Sequence, residues 1–541
     1  MPDKSLPEQP SLEQYKKQAK DLLDSHSQAA PQALDRIARY HPRLHNQPPD
    51  VIRTAPFHLA DAQLVIAREH GFESWPKFAK HVETLRLTRE VASLADPAAA
   101  FIEASCVPLN AHNSGTLDEA EMILARYPHV AAGSIHTAAI LADENAVRTL
   151  LARDPLSATV KGGPRGWDAL THLCFSRYLR LDRQRSDAFV RTARALLDAG
   201  ASANTGWIEM IDHPNPRPVL EAAIYGAAGI AQHAGLTRLL LERGADPNDE
   251  ETPYHVIETR DNTVLKILLE SGKLNMRSMS TLLLRKCDWH DLEGLELVLE
   301  HHPDPNWMTV WGHGALHQAV RRDNSLQMIE LLLDHGADPS LPNRDGLTAI
   351  AFAARRGRAG ALDLFERRGT PIALTGVDAL IAACARDQKE AIRSLTAAGP
   401  QLKSEVIEQG GTLLAQFAGV GNLAGVRNLL ALGVSPAALY REGDGYYGVA
   451  KDSTALHVAA WRAWPEVVKE LIAHGAPVNA TDAQSRTALQ LAVKACVDSY
   501  WTDRRSPDSV RALLEAGAFT AGIELPTGYD EVDKLLGQSL I

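Results

Sequence analysis

The chain has 541 residues, 45% of them hydrophobic and 23% charged, and carries a formal net charge of −11. That length exceeds the ~250–300 residues at which a single core stops growing, so several domains or a quasi-linear stack are expected rather than one globule. The ordinary apolar content excludes wholesale disorder, and the acidic balance argues against a nucleic-acid partner, which needs a basic stripe.

Aromatic residues are only 6% of the chain while Ala and Leu are plentiful, a composition that suits closely packed helices. The five cysteines, Cys106, Cys174, Cys287, Cys384 and Cys496, are odd in number and widely spaced in apolar helical contexts, as buried reduced thiols are in a cytosolic protein. The opening MPDKSLPEQPSLEQYKK lacks the apolar stretch of a signal peptide, and no run approaches a membrane span. A cytoplasmic chain without a membrane partner is therefore expected.

In chain order, residues 1–10 read as a disordered tail and residues 11–95 as a helical region outside any repeat. SLEQYKKQAKDLLDSH is an amphipathic helix capped by Ser11, QALDRIARYHP a second, and FHLADAQLVIAREHG a third closed by Gly71. WPKFAKHVETL adds a fourth with Pro76 in its first turn.

From residue 96 to 525 the chain repeats itself. An apolar helix end, a Gly and a small or polar turn recur in LLDAGASAN, LLERGADPN, LLESGKLN, LLDHGADPS, LLALGVSP, LIAHGAPVN and LLEAGAFT, with weaker copies in FERRGTP and LTAAGPQ. The marker positions are Gly200, Gly244, Gly272, His302, Gly336, Gly369, Gly399, Gly433, Gly475 and Gly517, at spacings of 44, 28, 30, 34, 33, 30, 34, 42 and 42 residues. Gly after the last helical turn takes the left-handed conformation that closes the helix without a Cβ penalty. A second phrase then opens the next helix: TPYHVIE, GALHQAV, LTAIAFAA, TALHVAA and TALQLAV. Three earlier copies begin at AAAFIEASC, HTAAILADENAV and GWDALTHLCFSRYL; the last is expected to carry a long polar loop, RLDRQRSD. Arg177, Arg180, Arg183 and Arg185 there read as a solvated stretch. Residues 526–541 form a C-terminal cap or tail.

These phrases resemble the ankyrin repeat, whose pattern is G-x-T-P-L-H-x-A-A, a second helix ending in L-L, then G-A-D-x-N, with a period of about 33 residues. DGLTAIAFAARRG and DSTALHVAA…LIAHGAPVN match it closely. The resemblance implies an all-α, ankyrin-repeat α-solenoid of about twelve helix pairs with enlarged finger turns. It also implies that His255, His317 and His457, in the T-P-L-H slot, hydrogen-bond between repeats. LADAQLVIAREHGFESWPKF is similar to a phrase that precedes the repeats of many bacterial ankyrin proteins, which implies a helical N-terminal cap over the first repeat.

Function is expected where the fingers are unusual. Large aromatics fill several of them: Trp207, with His213, in SANTGWIEMIDHPNPRP; Trp307, Trp311 and His313 in DPNWMTVWGHGALH; Tyr446 and Tyr447 in YREGDGYYGVAKD. Trp307 and Trp311 read as anchors for a protein or peptide partner in the concave groove. Tyr446 and Tyr447 fit either such a pocket or a small core of the finger's own. Asp288, Trp289 and His290 fall at a first-helix end one repeat before Trp307 and one after Tyr254; with repeats ~10 Å apart they are expected to share a patch. Asp288, His290, Tyr254 and His313 form an alternative grouping, a small-molecule or catalytic pocket in which His290 and a carboxylate make an acid–base pair. No metal or cofactor is assigned, since His290 and His313 would supply only half a metal site. There is no HExxH, GxSxG or phosphate-cradling Gly loop.

Overall fold

The computed structural model describes residues 4–7, 9–211 and 216–539, which divide into two compact units, 1–256 and 257–541. Helix pairs build both. Among the described residues no helix is long and apolar enough to cross a membrane.

The first unit opens with helices Leu12–Ser27, Pro31–Tyr40, Pro49–Thr54, Leu59–Glu69 and Trp75–Ala92. Ser11 caps the first through Gln14 N, and Ser74 caps the last, with Pro76 in its first turn. Tyr15, Leu22, Ile37, Ile52, Val65, Ile66 and Phe78 close a core of their own. Pro49–Thr54, which lies in a Pro-rich connection, is a helix the sequence pattern passes over; Pro49 sits at its first position, where a missing N–H costs nothing.

Four helix pairs follow, beginning at Pro97–Ser105, Ile135–Ile140, Ala169–Cys174 and Ala223–Tyr225. Arg177, Arg180, Arg183 and Arg185 are not the solvated loop expected of them. They lie on the short helix Arg177–Leu181 and the turn Arg183–Arg185. Arg177 donates to Ala104 O, Arg183 to Ala231 O and Arg185 to Leu141 O, so the guanidiniums satisfy backbone carbonyls of neighbouring repeats. The finger after Gly200 is enlarged by an antiparallel hairpin, Gly206–Ile211 with Arg217–Ala222. Glu251–His255 ends this unit and Thr263–Glu270 begins the next.

Among the described residues of the second unit seven pairs follow, with first helices Met276–Asp288, Ala315–Arg321, Ala349–Arg355, Gly376–Ala385, Gly410–Gly419, Ala455–Trp461 and Ala488–Val497, and Asp530–Ser539 is the last helix. His302 sits at φ +52 in the slot that Gly fills elsewhere, the left-handed helix end retained without glycine. Gly399 is the exception: its φ is −138, and instead of a finger it starts the extra helix Pro400–Glu408. The turn between the two helices of a repeat is left-handed as well, and non-glycine residues such as His290, Asp323, Asp387 and Ala463 occupy it. The repeat histidines behave as the pattern implies: His317 Nε2 is 3.0 Å from Leu341 O and His457 Nε2 3.0 Å from Ala480 O. His136 makes the same bond to Val160 O. His255 differs, with Nε2 3.2 Å from Glu251.

Candidate functional site

The finger Asp304–Gly314 of the second unit is tied down from both sides. Asn306 donates to Gly336 O and accepts from Asp338 N, while Thr309 N and Oγ1 both donate to His313 O. Gly312 turns at φ +81, and a Cβ there would lie 2.8 Å from Arg344 Cβ; the Arg344 amide donates to Gly312 O and its guanidinium to Val310 O. A fixed backbone thus presents Trp307 and Trp311, 44% and 45% exposed, and Trp289 at the preceding helix end is 39% exposed. His313 is held by Arg321, 3.3 Å from Nε2, and Asn343, 3.0 Å from Nδ1; burial, then the Arg321 charge, pushes its pKa down.

Asp288 and His290 do not form the expected pair. The Asp288 carboxylate binds Arg285 at 2.9 Å, Arg322 at 2.7 Å and Gln318 at 2.6 Å, and His290 Nδ1 faces the Asn324 amide at 3.1 Å. His290 stands at φ +50 in the inter-helix turn, where burial pushes its pKa down. Tyr254 belongs to the first unit, half-buried beside His255.

One repeat on, Asp323 holds the same turn position and is the hub of an ion-pair cluster. Arg356 grips it with two bonds of 3.0 and 2.9 Å, Arg462 lies at 3.4 Å and Arg358 at 3.8 Å. Burial opposes the charge on Asp323, but the Arg356, Arg462 and Arg358 guanidiniums outweigh it and hold the carboxyl below the usual range. The finger 440–452 closes over this cluster. Tyr447 is buried under the Arg462 guanidinium, 3.9 Å from the ring centroid, within a core that includes Tyr440, Trp461 and Trp501. Tyr446 lies under Arg322 at 3.7 Å and donates its hydroxyl to Asp288 O. Of the two readings open for these tyrosines, the geometry gives Tyr447 to the finger's own core and makes Tyr446 a strut.

In the first unit, Trp207 is buried rather than presented. It stacks on Trp167 at 5.3 Å and meets His112 edge-on at 6.0 Å, and among the described residues its Nε1 has no hydrogen-bond partner. His213 lies outside the described residues. Strand alternation puts Trp207, Glu209, Val219 and Glu221 on one face of the hairpin and leaves Ile208, Met210 and Leu220 exposed on the other. Glu221 is 1% exposed, and among the described residues its Oε2 has no partner. Burial, then the like charges of Glu251, Glu209 and Asp249, pushes it up to about 8. Burial likewise pushes Asp249 up to about 7, against the Thr252 hydrogen bonds that favour its charge. His112, Glu209 and Glu221 each bring a ligand atom within 4.8 Å of the others, a grouping that no sequence spacing announces. The Asp323 cluster was equally hidden, since Arg462 is 139 residues away from it. The period-2 alternation in GWIEMI and RPVLEA was the available signal for the hairpin carboxylates.

Comparison with known proteins bears on the repeats. The family model described as "Ankyrin repeats (many copies)" matches residues 316–366, and that described as "Ankyrin repeats (3 copies)" matches residues 414–521. No curated protein matches the chain. Among solved structures, the human ASB11 ankyrin repeat domain is 24% identical over 44% of this chain and 99% of its own, with a TM-score of 0.21, too low to carry an argument. The family-model matches fall on helix pairs with left-handed glycine ends and bridging histidines, and the chain is an ankyrin-repeat protein.

Proposed function

We propose that the chain is a binding scaffold that recognises a protein or peptide partner through its concave finger and helix groove, with Trp307 and Trp311 of one finger and Trp289 at the neighbouring helix end as anchors. Ankyrin repeats are generally protein–protein interaction modules. One contrast carries the finer reading: these three tryptophans stand 39–45% exposed, whereas Trp167, Trp207, Trp461 and Trp501 are buried. Exposed aromatics on a finger already fixed by Asn306, Thr309 and Arg344 bind without having to be ordered first, which favours affinity. His313 and Arg321 supply polar groups beside them. The free, buried state of all five cysteines supports a reducing compartment, the cytoplasm, and the net charge of −11 supports a partner other than nucleic acid.

The test is capture of partners by the wild-type chain and by a Trp307→Ala/Trp311→Ala variant, identification of the proteins that differ, and calorimetry with each one purified. Affinity is expected to fall at least ~10-fold, the loss of one anchor. Equal affinity in a variant with an unchanged circular-dichroism spectrum removes these tryptophans from the interface.

A further inference from the structure

We propose that His112, Glu209 and Glu221 bind a divalent transition-metal ion, zinc in the first instance, which clamps the finger hairpin of the first unit to the loop that carries His112. Their ligand atoms lie within 4.8 Å of one another, with His112 Nε2 4.0 Å from Glu209 Oε2. A tetrahedral ion with bonds of ~2.1 Å places its ligands ~3.4 Å apart, so side-chain adjustments of about 1 Å complete the site.

Three observations carry this beyond a cluster of acids. First, Glu221 is 1% exposed, and among the described residues its Oε2 has no hydrogen-bond partner. A carboxylate is rarely buried with an oxygen unsatisfied unless a cation or a proton completes it. Second, the hairpin register sets Trp207 directly opposite Glu221, and Trp207 Nε1 is another buried polar atom without a partner among the described residues. The two side chains share one face of the hairpin, so a rotation of the indole would bring its N–H to the carboxylate as an outer-shell donor of the kind that orients a metal ligand. Third, His112 is already held from behind: its Nδ1 is 2.7 Å from Tyr225 Oη. In the metal-free geometry Nε2 lies 3.1 Å from Leu109 O, a bond that needs the proton on Nε2; ligation moves the ring proton to Nδ1, donated to the Tyr225 hydroxyl, and exchanges the Leu109 bond for one from the Nε2 lone pair to the ion.

The ligand set selects the metal. One imidazole and two carboxylates suit zinc and its first-row neighbours, with water in the remaining position. Magnesium and calcium prefer six or more oxygen ligands and gain little from a histidine. Trp167, Phe175, Trp207 and Tyr225 pack around His112 and one another, which lowers the local dielectric and strengthens the attraction between the carboxylates and a cation.

The experiment uses the full chain stripped with a chelator, then titrated with zinc chloride by calorimetry and with cobalt chloride by visible absorbance. One ion per chain is expected, with cobalt giving the absorption bands of a low-coordinate site. Glu221→Gln and the more exposed Glu209→Gln should each weaken zinc at least ~10-fold, and His112→Ala should remove the cobalt bands. Three results would overturn the proposal: no saturable one-to-one binding by the wild type; equal zinc affinity in Glu209→Gln and His112→Ala, which would assign the ion to other histidines; or equal affinity for magnesium or calcium. The site lies in the first unit and the exposed tryptophans in the second, so the two readings fail independently.

Discussion

Glu221 and Asp323 are both carboxylates buried against an enlarged finger, yet their surroundings have opposite sign. Around Glu221 stand Glu251, Glu209 and Asp249, and its charge is disfavoured. Around Asp323 stand Arg356, Arg462 and Arg358, and its charge is held. Burial alone penalises both. What separates them is the charge their neighbours carry: Glu209 of the hairpin joins Glu251 and Asp249 beside Glu221, whereas the guanidiniums around Asp323 come from helix ends of the repeats themselves and the finger's tyrosines cover them.

The contrast can be broken most forcefully at Asp323. Asp323→Asn leaves Arg356, Arg358 and Arg462 without their shared carboxylate, and urea denaturation should show a loss of ~3–5 kcal/mol. A loss below about 1 kcal/mol would mean that the cluster is incidental. Next comes an acid titration of His172, fully buried in the first unit, where burial pushes its pKa from the ordinary 6.5 down to about 3. The fold favours the neutral ring, so this contribution is intact above pH 6.5 and is lost as pH falls towards 3. By pH 4 the wild type should have lost up to ~3 kcal/mol more than His172→Gln, read as a difference in slope of stability against pH. Parallel slopes would show that His172 protonates without penalty. A smaller effect is expected from Tyr446→Phe, which deletes only the hydroxyl bond to Asp288 O, at ~1 kcal/mol. Smallest of all, Trp307→Ala and Trp311→Ala should leave stability within ~0.5 kcal/mol while partner binding falls, since exposed anchors contribute little to folding. A large destabilisation there would mark the finger as core.

The repeat was legible because its signals are local. A glycine that must turn left-handed, an Ala-rich helix opening and a bridging histidine each act within one period, and Gly336, Gly475 and His457 stand where their phrases imply. Local signals failed where chemistry is supplied from a distance. No spacing rule connects Asp323 with Arg462, and the Arg177–Arg185 stretch looks solvated until the carbonyls of the neighbouring repeats are known. Gly399 carried the finger phrase but begins a helix, because Pro400 at the next position fits a first helical turn. Trp207 and Trp307 were indistinguishable as finger aromatics. Only the hairpin, whose alternation turns Trp207 inward, separates them.

The strut from Tyr446 to Asp288 and the ion pair from Arg462 to Asp323 have a consequence for how the second unit comes apart. An array whose modules touch only their immediate neighbours can unzip from one end, each module letting go in turn. Here modules near residues 288 and 323 are pinned to one near 462, over the heads of the intervening pairs. Pulling on the C-terminal end therefore meets a closed clasp, and residues 276–473 should exchange their deeply buried amide protons as one block rather than as a graded series.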